Sequence, residues 1–353
     1  MVFKNSGIEI ITTEDKWNKL LNEIRDFDFY HTYDYHLIEK LDDRYPILLK
    51  YVENDIIIAI PFLIRKIDDT IYYDATSVYG YSGPISKNIT ADFDNTMFLK
   101  KLQSFFMENN IISVFSRLHP YLEHQEDLLN GLGKIFHKGK VVNIDLNLNI
   151  DIQYRNYQNR LKTYINNSRR NCLLKKLETD EELAEFIEIY YENMNRVKAA
   201  KYFYFNKDYF NQLLNSEQFN AEILLVKDIK SGATVAGGLF VTTNNIVQYH
   251  LSGTRSEFLH LTPTKLLIDE MRIEATEGGR NFFNLGGGLG GKIDDSLFKF
   301  KSSFSKDFRD FKLWNLIVNQ KIYDELVEER NIGETSFFPK YRFSDKNLET
   351  REY

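Results

Sequence analysis

Residues 246–304 read IVQYHLSGTRSEFLHLTPTKLLIDEMRIEATEGGRNFFNLGGGLGGKIDDSLFKFKSSF. A first apolar run, Ile246 to Leu251, has strand character. Pro263 then opens a helix, and a second strand ends in three glycines, Gly286 to Gly288. The segment therefore reads as strand, crossover helix, strand, a unit that gathers its working groups at the strand ends. Alternation along the first strand predicts Val247, Tyr249 and Leu251 on a packed face and Gln248, His250 and Ser252 on a polar one. The polar face is a candidate substrate wall, and a plain solvent-facing edge is an equal reading.

Working outward, Ala221–Val226, Thr234–Val241 and Ile246–Leu251 form an antiparallel meander, its last two strands joined by Asn244-Asn245. Upstream lie a helix over Asp180–Asn195, with Leu183, Phe186, Ile187, Tyr190 and Met194 as its buried stripe, and a helix over Asn206–Leu214. Before these, Arg155 to Lys176 holds seven basic residues and no acidic one, on a polar helix followed by a strand. The change in composition at Asn147–Gln153 sets an expected linker, and with it domains of 1–146 and 147–353. The first half has the same order. It runs through a helix over Thr13–Asp26 (Trp17, Leu20, Leu21 and Ile24 inward), a helix over Tyr33–Leu41, and a hairpin of Ile47–Val52 and Ile56–Ile64 turning at Asn54-Asp55. A strand at Thr70–Asp74, a loop at Tyr79–Pro84, a helix at Phe93–Glu108 and strands at Ile111–Arg117 and Lys140–Leu146 complete it. Two copies of one α/β (α+β) architecture are expected.

Composition sets bounds. At 353 residues with 43% hydrophobic and 14% aromatic content, the chain can supply two cores without staples. A single cysteine, Cys172, permits no internal disulfide and has no motif around it, so a structural role in a reducing compartment is expected. The net charge of −6 argues against wholesale wrapping of nucleic acid. No signal peptide or membrane span is legible, which gives a cytoplasmic expectation. The seven histidines lack metal-ligand spacing, and phosphate-loop, dinucleotide and nucleophile-elbow motifs are missing.

Taken together, YHLSGT, the proline-opened helix, FFNLGGG, SLFKFKSSF and the later FFPKYRF resemble the Fem-type peptidoglycan aminoacyltransferases and their relatives in the GNAT superfamily, most strongly over Ala221–Phe343. The resemblance implies two tandem GNAT-like domains, each a mixed, mainly antiparallel sheet flanked by helices. It also implies transfer of an acyl or aminoacyl group from an activated carrier to a primary amine of an amino-sugar or peptide cell-envelope precursor, with no metal and no covalent enzyme intermediate. Many Fem-type enzymes carry a coiled-coil insertion, and no sustained heptad is present here. That departure sets acyl-CoA ahead of aminoacyl-tRNA as donor, with a binding module of decayed donor site as the non-enzymatic alternative.

Residue roles come from the resemblance together with the chemistry. Lys301, in FKSSF, matches the lysine that similar enzymes place at the reacting carbonyl, where an ammonium stabilises developing negative charge; Lys299 would point elsewhere on a helix. Gly286 and Gly287 allow close backbone approach, and Asn284 is expected to orient an acceptor carbonyl or cap the turn. His250 is the candidate base, although a lone strand histidine is more often structural. Thr262, Pro263 and Thr264 supply a helix start suited to donor phosphates, but the preceding loop has a single glycine, Gly253. Arg169 and Arg170 are candidate phosphate ligands, or else a solvated helix face. Tyr79 and Tyr81 are candidate cleft residues of the first half, and Arg342 is expected to pair with a buried carboxylate.

Overall fold

The structure is a computed structural model that describes residues 3–4, 7–40, 44–90 and 92–343. Two compact units arise. Unit 1 takes the described residues up to Lys138 and those from Asp310 onward, and unit 2 takes 139–309. This differs from the single boundary expected after Leu146. The composition shift was real, but strand pairing overrides it, because the final strand returns to unit 1 and pairs there.

Unit 1 contains β1 (Glu9–Ile11), α1 (Glu14–Ile24), α2 (Tyr33–Ile38), β2 (Arg44–Glu53), β3 (Ile56–Lys66), β4 (Tyr73–Thr76), β5 (Ile85–Lys87), α3 (Thr96–Glu108), β6 (Ile111–Arg117) and α4 (Gln125–Leu129). The chain crosses through β7 (Lys134–Asp145) into unit 2, with α5 (Ile150–Arg155), α6 (Asn159–Asn171), β8 (Cys172–Lys176), α7 (Asp180–Arg196), α8 (Lys207–Leu214), β9 (Asn220–Asp228), β10 (Thr234–Thr243), β11 (Ile246–Thr254), α9 (Pro263–Glu277), β12 (Phe282–Gly286) and α10 (Ser296–Lys301). It returns through β13 (Asp307–Ile317) to α11 (Gln320–Glu329).

The expected elements are largely present, with local differences. The helix expected at Tyr33–Leu41 ends at Ile38, and Leu41 lies outside the described residues. The linker Asn147–Gln153 is partly helical, because Asn149 caps α5 by accepting from the Asp151 N–H. In α7 the buried stripe is Leu183, Phe186, Ile189 and Tyr190. Ile187 and Met194 are only partly buried, since the helix turns Ile189 rather than Ile187 onto the sheet.

In unit 1 the order along the sheet is β1-β2-β3-β4-β6-β13, with β5 also pairing β3. One face packs Ile47, Leu49, Phe62 and Val114 against Phe98, Leu102, Phe105 and Phe106 of α3. The other covers Leu48 and Ala59 with Trp17, Leu20, Leu21 and Ile24 of α1. In unit 2 the order is β7-β12-β11-β10-β9-β8. Val142, Ile144, Phe240, Val247, Phe283 and Leu285 face α6 and α9. On the opposite face Phe186 of α7 lies against Gly237, and the α7 backbone comes so close to Gly253 that a Cβ there would meet Ile189 O at 2.7 Å. Each sheet is thus covered on both sides by helices, a three-layer arrangement of mostly antiparallel strands with one parallel pair apiece, β4 with β6 and β11 with β12.

Candidate active site

In unit 2 the parallel partners are Ile246 with Phe282, Val247 with Phe283 and Gln248 with Asn284, and pairing stops there. Beyond that point β11 stays with β10 as far as Thr254, while β12 leans to β7, setting Gly286 opposite Val142. A wedge opens there between two neighbouring strands. Its apex is polar and buried: Asn284 Nδ2 donates to Gln248 Oε1 (2.8 Å), and Gly286 N–H donates to Asn284 Oδ1 (2.9 Å). Gly286 has φ +77°, in the left-handed region, so glycine is required for the turn. At Gly287 a Cβ would come within 2.8 Å of Lys140 O.

The polar wall expected on β11 is not one face. β10 pairs Leu239 with Leu251 but Phe240 with Tyr249, which leaves His250 as an extra residue in β11. This bulge reverses the alternation. Ser252 ends beside Tyr249, their hydroxyls hydrogen-bonded, whereas Gln248 lies on the other face with Asn284. A period of two in sequence cannot reveal an inserted residue. His250 at the bulge meets α8, its Nε2 lying 2.7 Å from the Tyr209 hydroxyl. Burial pushes it down to about 4, so it is neutral near pH 7 and a weak base.

Lys301 comes from the far side of the glycines. Asp295 caps α10 by accepting from the Leu297 and Phe298 N–H groups (2.7 and 3.1 Å). Phe298 and Phe304 bury into the α6–α9 core, and that rotation turns Lys301 inward and leaves Lys299 exposed. Lys301 Nζ donates to Gly287 O at 2.9 Å. Burial lowers its pKa to about 8, against the opposing pull of Asp295. It therefore remains mostly an ammonium near pH 7, poorly solvated and able to donate to a charge developing at the wedge.

At the α9 end, Thr262 adopts a left-handed conformation (φ +51°) before Pro263. Thr254 and Thr264 hydroxyls lie 2.8 Å apart, and Ser168 Oγ sits 3.3 Å from Thr262 Oγ1. The first turn of α9 holds no acidic residue. It does hold Lys265, whose ammonium lies over the Tyr164 and Phe300 rings (5.0 and 5.3 Å) and is lowered by burial and by Arg160. The loop Gly253–Thr262 is largely a 3₁₀ turn, Ser256–Leu261, and Gly253 is explained by its approach to α7.

The basic run is mostly engaged within unit 2. Arg169 donates to the buried Asp269 at 2.6 Å, tying α6 to α9, while Arg170 is exposed on α6. Lys175 pairs with Glu182 and Glu178, and Lys176 with Glu222 and Glu274. Cys172 is buried and its thiol is pushed up to about 11 by burial and Asp228, so it is no nucleophile.

In unit 1, Tyr79 and Tyr81 are partly buried in an aromatic cluster: Tyr81 packs edge-on to Tyr30 and Phe311, and Arg117 stands 5.9 Å from the Tyr79 ring. Below them His119 and the buried Asp28 pair at 2.9 Å. Tyr121 N–H donates to His119 Nδ1, so Nε2 carries the proton toward Asp28. Arg342 pairs with the buried Asp74 (2.8 Å), as expected, with Arg65 on its other oxygen (2.6 Å). Burial would raise the Asp74 carboxyl, but the two guanidiniums outweigh it and hold it low.

Residues 217–311 match the FemAB family, a little over a quarter of the chain and the stretch that carries the wedge and Lys301. Among solved structures, FemX is similar with a TM-score of 0.69 at 13% identity, covering 90% of this chain and 99% of that one. A conserved protein of unknown function from Bacteroides thetaiotaomicron gives 0.56 at 12%, covering 88% and 99%. The C-terminal domain of a putative lysylphosphatidylglycerol synthetase from Agrobacterium fabrum gives 0.54 at 12%, covering 91% and 97%. No curated protein sequence matches the chain. At such identities the likeness is one of fold, and it bears out the expected mixed α/β architecture of sheets flanked by helices. Together with the FemAB match it supports the resemblance to the Fem-type proteins. No described helix is long and apolar enough to cross a membrane.

Proposed function

We propose that this chain is an N-acyltransferase that moves an acyl or aminoacyl group from an activated carrier to a primary amine, with an amino-sugar or peptide cell-envelope precursor as acceptor. The observation that carries the reading is the parting of β11 and β12 after Gln248–Asn284, with a buried lysine at its edge. A thioester or ester carbonyl entering the wedge meets Lys301 on one side. The amine nitrogen attacks the carbonyl carbon, the C–N bond forms, the C–S or C–O bond breaks, and the amine proton leaves with the carrier or to water. Lys301 donates to the oxyanion of the tetrahedral intermediate, a contribution of about 3 kcal/mol for one good donor. His250, neutral and bonded to Tyr209, serves the fold of β11 rather than proton removal.

Acyl-CoA is the first donor on this reading. Lys265 and Arg160 near the start of α9 suit a carrier phosphate, since two cations at a helix N-terminus are unfavourable without an anion. Aminoacyl-tRNA is the second reading. It is favoured by the Gly253 loop, which is built for packing on α7 and folds into a 3₁₀ turn instead of a glycine cradle. The test is a mass-spectrometric donor screen of acetyl-CoA, longer acyl-CoAs and aminoacyl-tRNAs against glucosamine and lysinamide, repeated with Lys301→Ala. Binding that weakens steeply with salt identifies the transfer RNA. No product and no shift in melting temperature with any donor would leave the enzymatic reading without support.

A further inference from the structure

The face of the unit 2 sheet turned away from α6 and α9 carries a polar row that crosses β11, β12 and β7 and reaches Asp307 at the start of β13. Gln248 on β11 bonds Asn284 on β12, Asn284 is register partner to Asn143 on β7, and Asn143 Nδ2 donates to Asp307 Oδ2 on β13 at 2.6 Å. Directly opposed antiparallel residues project to the same face. The neighbours agree, because Val142, Ile144, Phe283 and Leu285 lie in the α6–α9 core and Phe308 packs against it. Asn143 is fully buried. Its amide orientation is fixed by the carboxylate, which only accepts, so Oδ1 faces away from Asp307, and that atom has no hydrogen-bond partner among the described residues. Asp307 itself is about one-third exposed. Arg309, held over the Phe282 ring at 5.6 Å, also approaches Asp307, its ion pair and hydrogen bond both at 3.5 Å.

Four buried or half-buried polar side chains are a costly way to fill a sheet face. They begin at the wedge apex and end at a carboxylate reachable from solvent. We propose that Asp307, oriented by Asn143, binds the ammonium form of the acceptor amine and makes the site select amines over their acylated or neutral counterparts. Lys301 serves the donor carbonyl from the side of α10, and Asp307 gathers the acceptor on the opposite face. The cationic acceptor competes with Arg309 for the carboxylate, whereas an N-acetylated analogue gains nothing from it. Asn143 is a positioning residue, and Asp307 is the specificity determinant.

This rests on the transferase reading, so the experiment uses equilibrium binding, which needs no turnover. Glucosamine and lysinamide are titrated by ligand-observed NMR into the wild-type protein, with N-acetylglucosamine and Nα,Nε-diacetyllysinamide as controls. The expected result is binding of at least one amine, at least tenfold tighter than its acetylated control, and loss of that preference in Asp307→Asn with the melting temperature little changed. Asn143→Ser, which keeps a donor for the carboxylate, retains the preference, and Asn143→Leu, which removes it, loses most of it. The proposal is overturned if neither amine is preferred by the wild-type protein, or if Asp307→Asn keeps the preference. The transferase reading is judged separately, by product formation and its dependence on Lys301.

Discussion

Beyond its paired residues, the parallel pair of unit 1 stays joined. After Thr76 meets Phe115, Ser77 N–H donates to Phe115 O (2.9 Å), and past a short excursion Ser82 N–H donates to Arg117 O (2.8 Å). Gln125 ties this segment further, donating to Ser82 O and Pro84 O while accepting from His119 N–H. In unit 2 the matching pair parts after three residues and never rejoins. The same order of elements therefore yields a stitched seam in one half and an opening in the other. The cause is the chain just past each strand. Unit 1 supplies a loop that packs its aromatics back over the seam, and unit 2 supplies consecutive glycines and a bulge that send the two strands to different neighbours.

The comparison breaks first at Lys301. If the opening is where chemistry occurs, Lys301→Ala lowers kcat about 10²- to 10³-fold, measured with whichever donor the screen identifies. A change under about threefold would make the wedge a structural accident.

Next in size is the seam. Gly80 has φ +113°, and a Cβ there would stand 2.0 Å from the Tyr30 ring, which is itself buried. Gly80→Ala should cost about 2–4 kcal/mol in denaturant unfolding, from strain and overpacking together. A cost near zero would mean that the seam is slack.

The pH dependence of Lys301 gives a smaller effect with a definite sign. With its pKa at about 8 in the fold against 10.5 for free lysine, the ammonium is lost as pH rises through 8, so the rate falls by about tenfold at pH 9. Stability moves the other way. Between pH 8 and 10.5 the unfolded chain holds a proton that the fold has released, so stability rises with pH across that window relative to Lys301→Met. Urea unfolding of both proteins at pH 7 and 10 measures the difference.

Smallest of all is His250. Already neutral above about pH 5, it should leave no inflection between pH 5.5 and 7.5, and His250→Asn should alter the shape of the pH–rate profile by less than about twofold. A limb that vanishes in His250→Asn would restore it as the base.

Much of this was legible from residues. Trp17, Leu20, Leu21 and Ile24 at helical spacing, the Asn54 and Asn244 turns, and the Pro263 helix start all act through neighbours in sequence, and so the elements and their order were readable. That Lys299 and Lys301 point to different sides follows from the helix over Ser296–Lys301, as the residues allowed. In sequence Asn143 is only one polar residue between Val142 and Ile144, and Asp307 carries no signal at all, because its meaning comes from a strand more than 160 positions away.

What the sequence determined by itself was two copies of one order of elements and the motif holding the lysine, since capping, periodicity and glycine conformation are short-range properties of the backbone. Tertiary structure decided where the units divide, that β13 returns to unit 1, that a bulge at His250 separates Ser252 from Gln248, and which parallel pair stays open. Each of these depends on which strands share hydrogen bonds, and register between distant segments is written in no local stretch of chain.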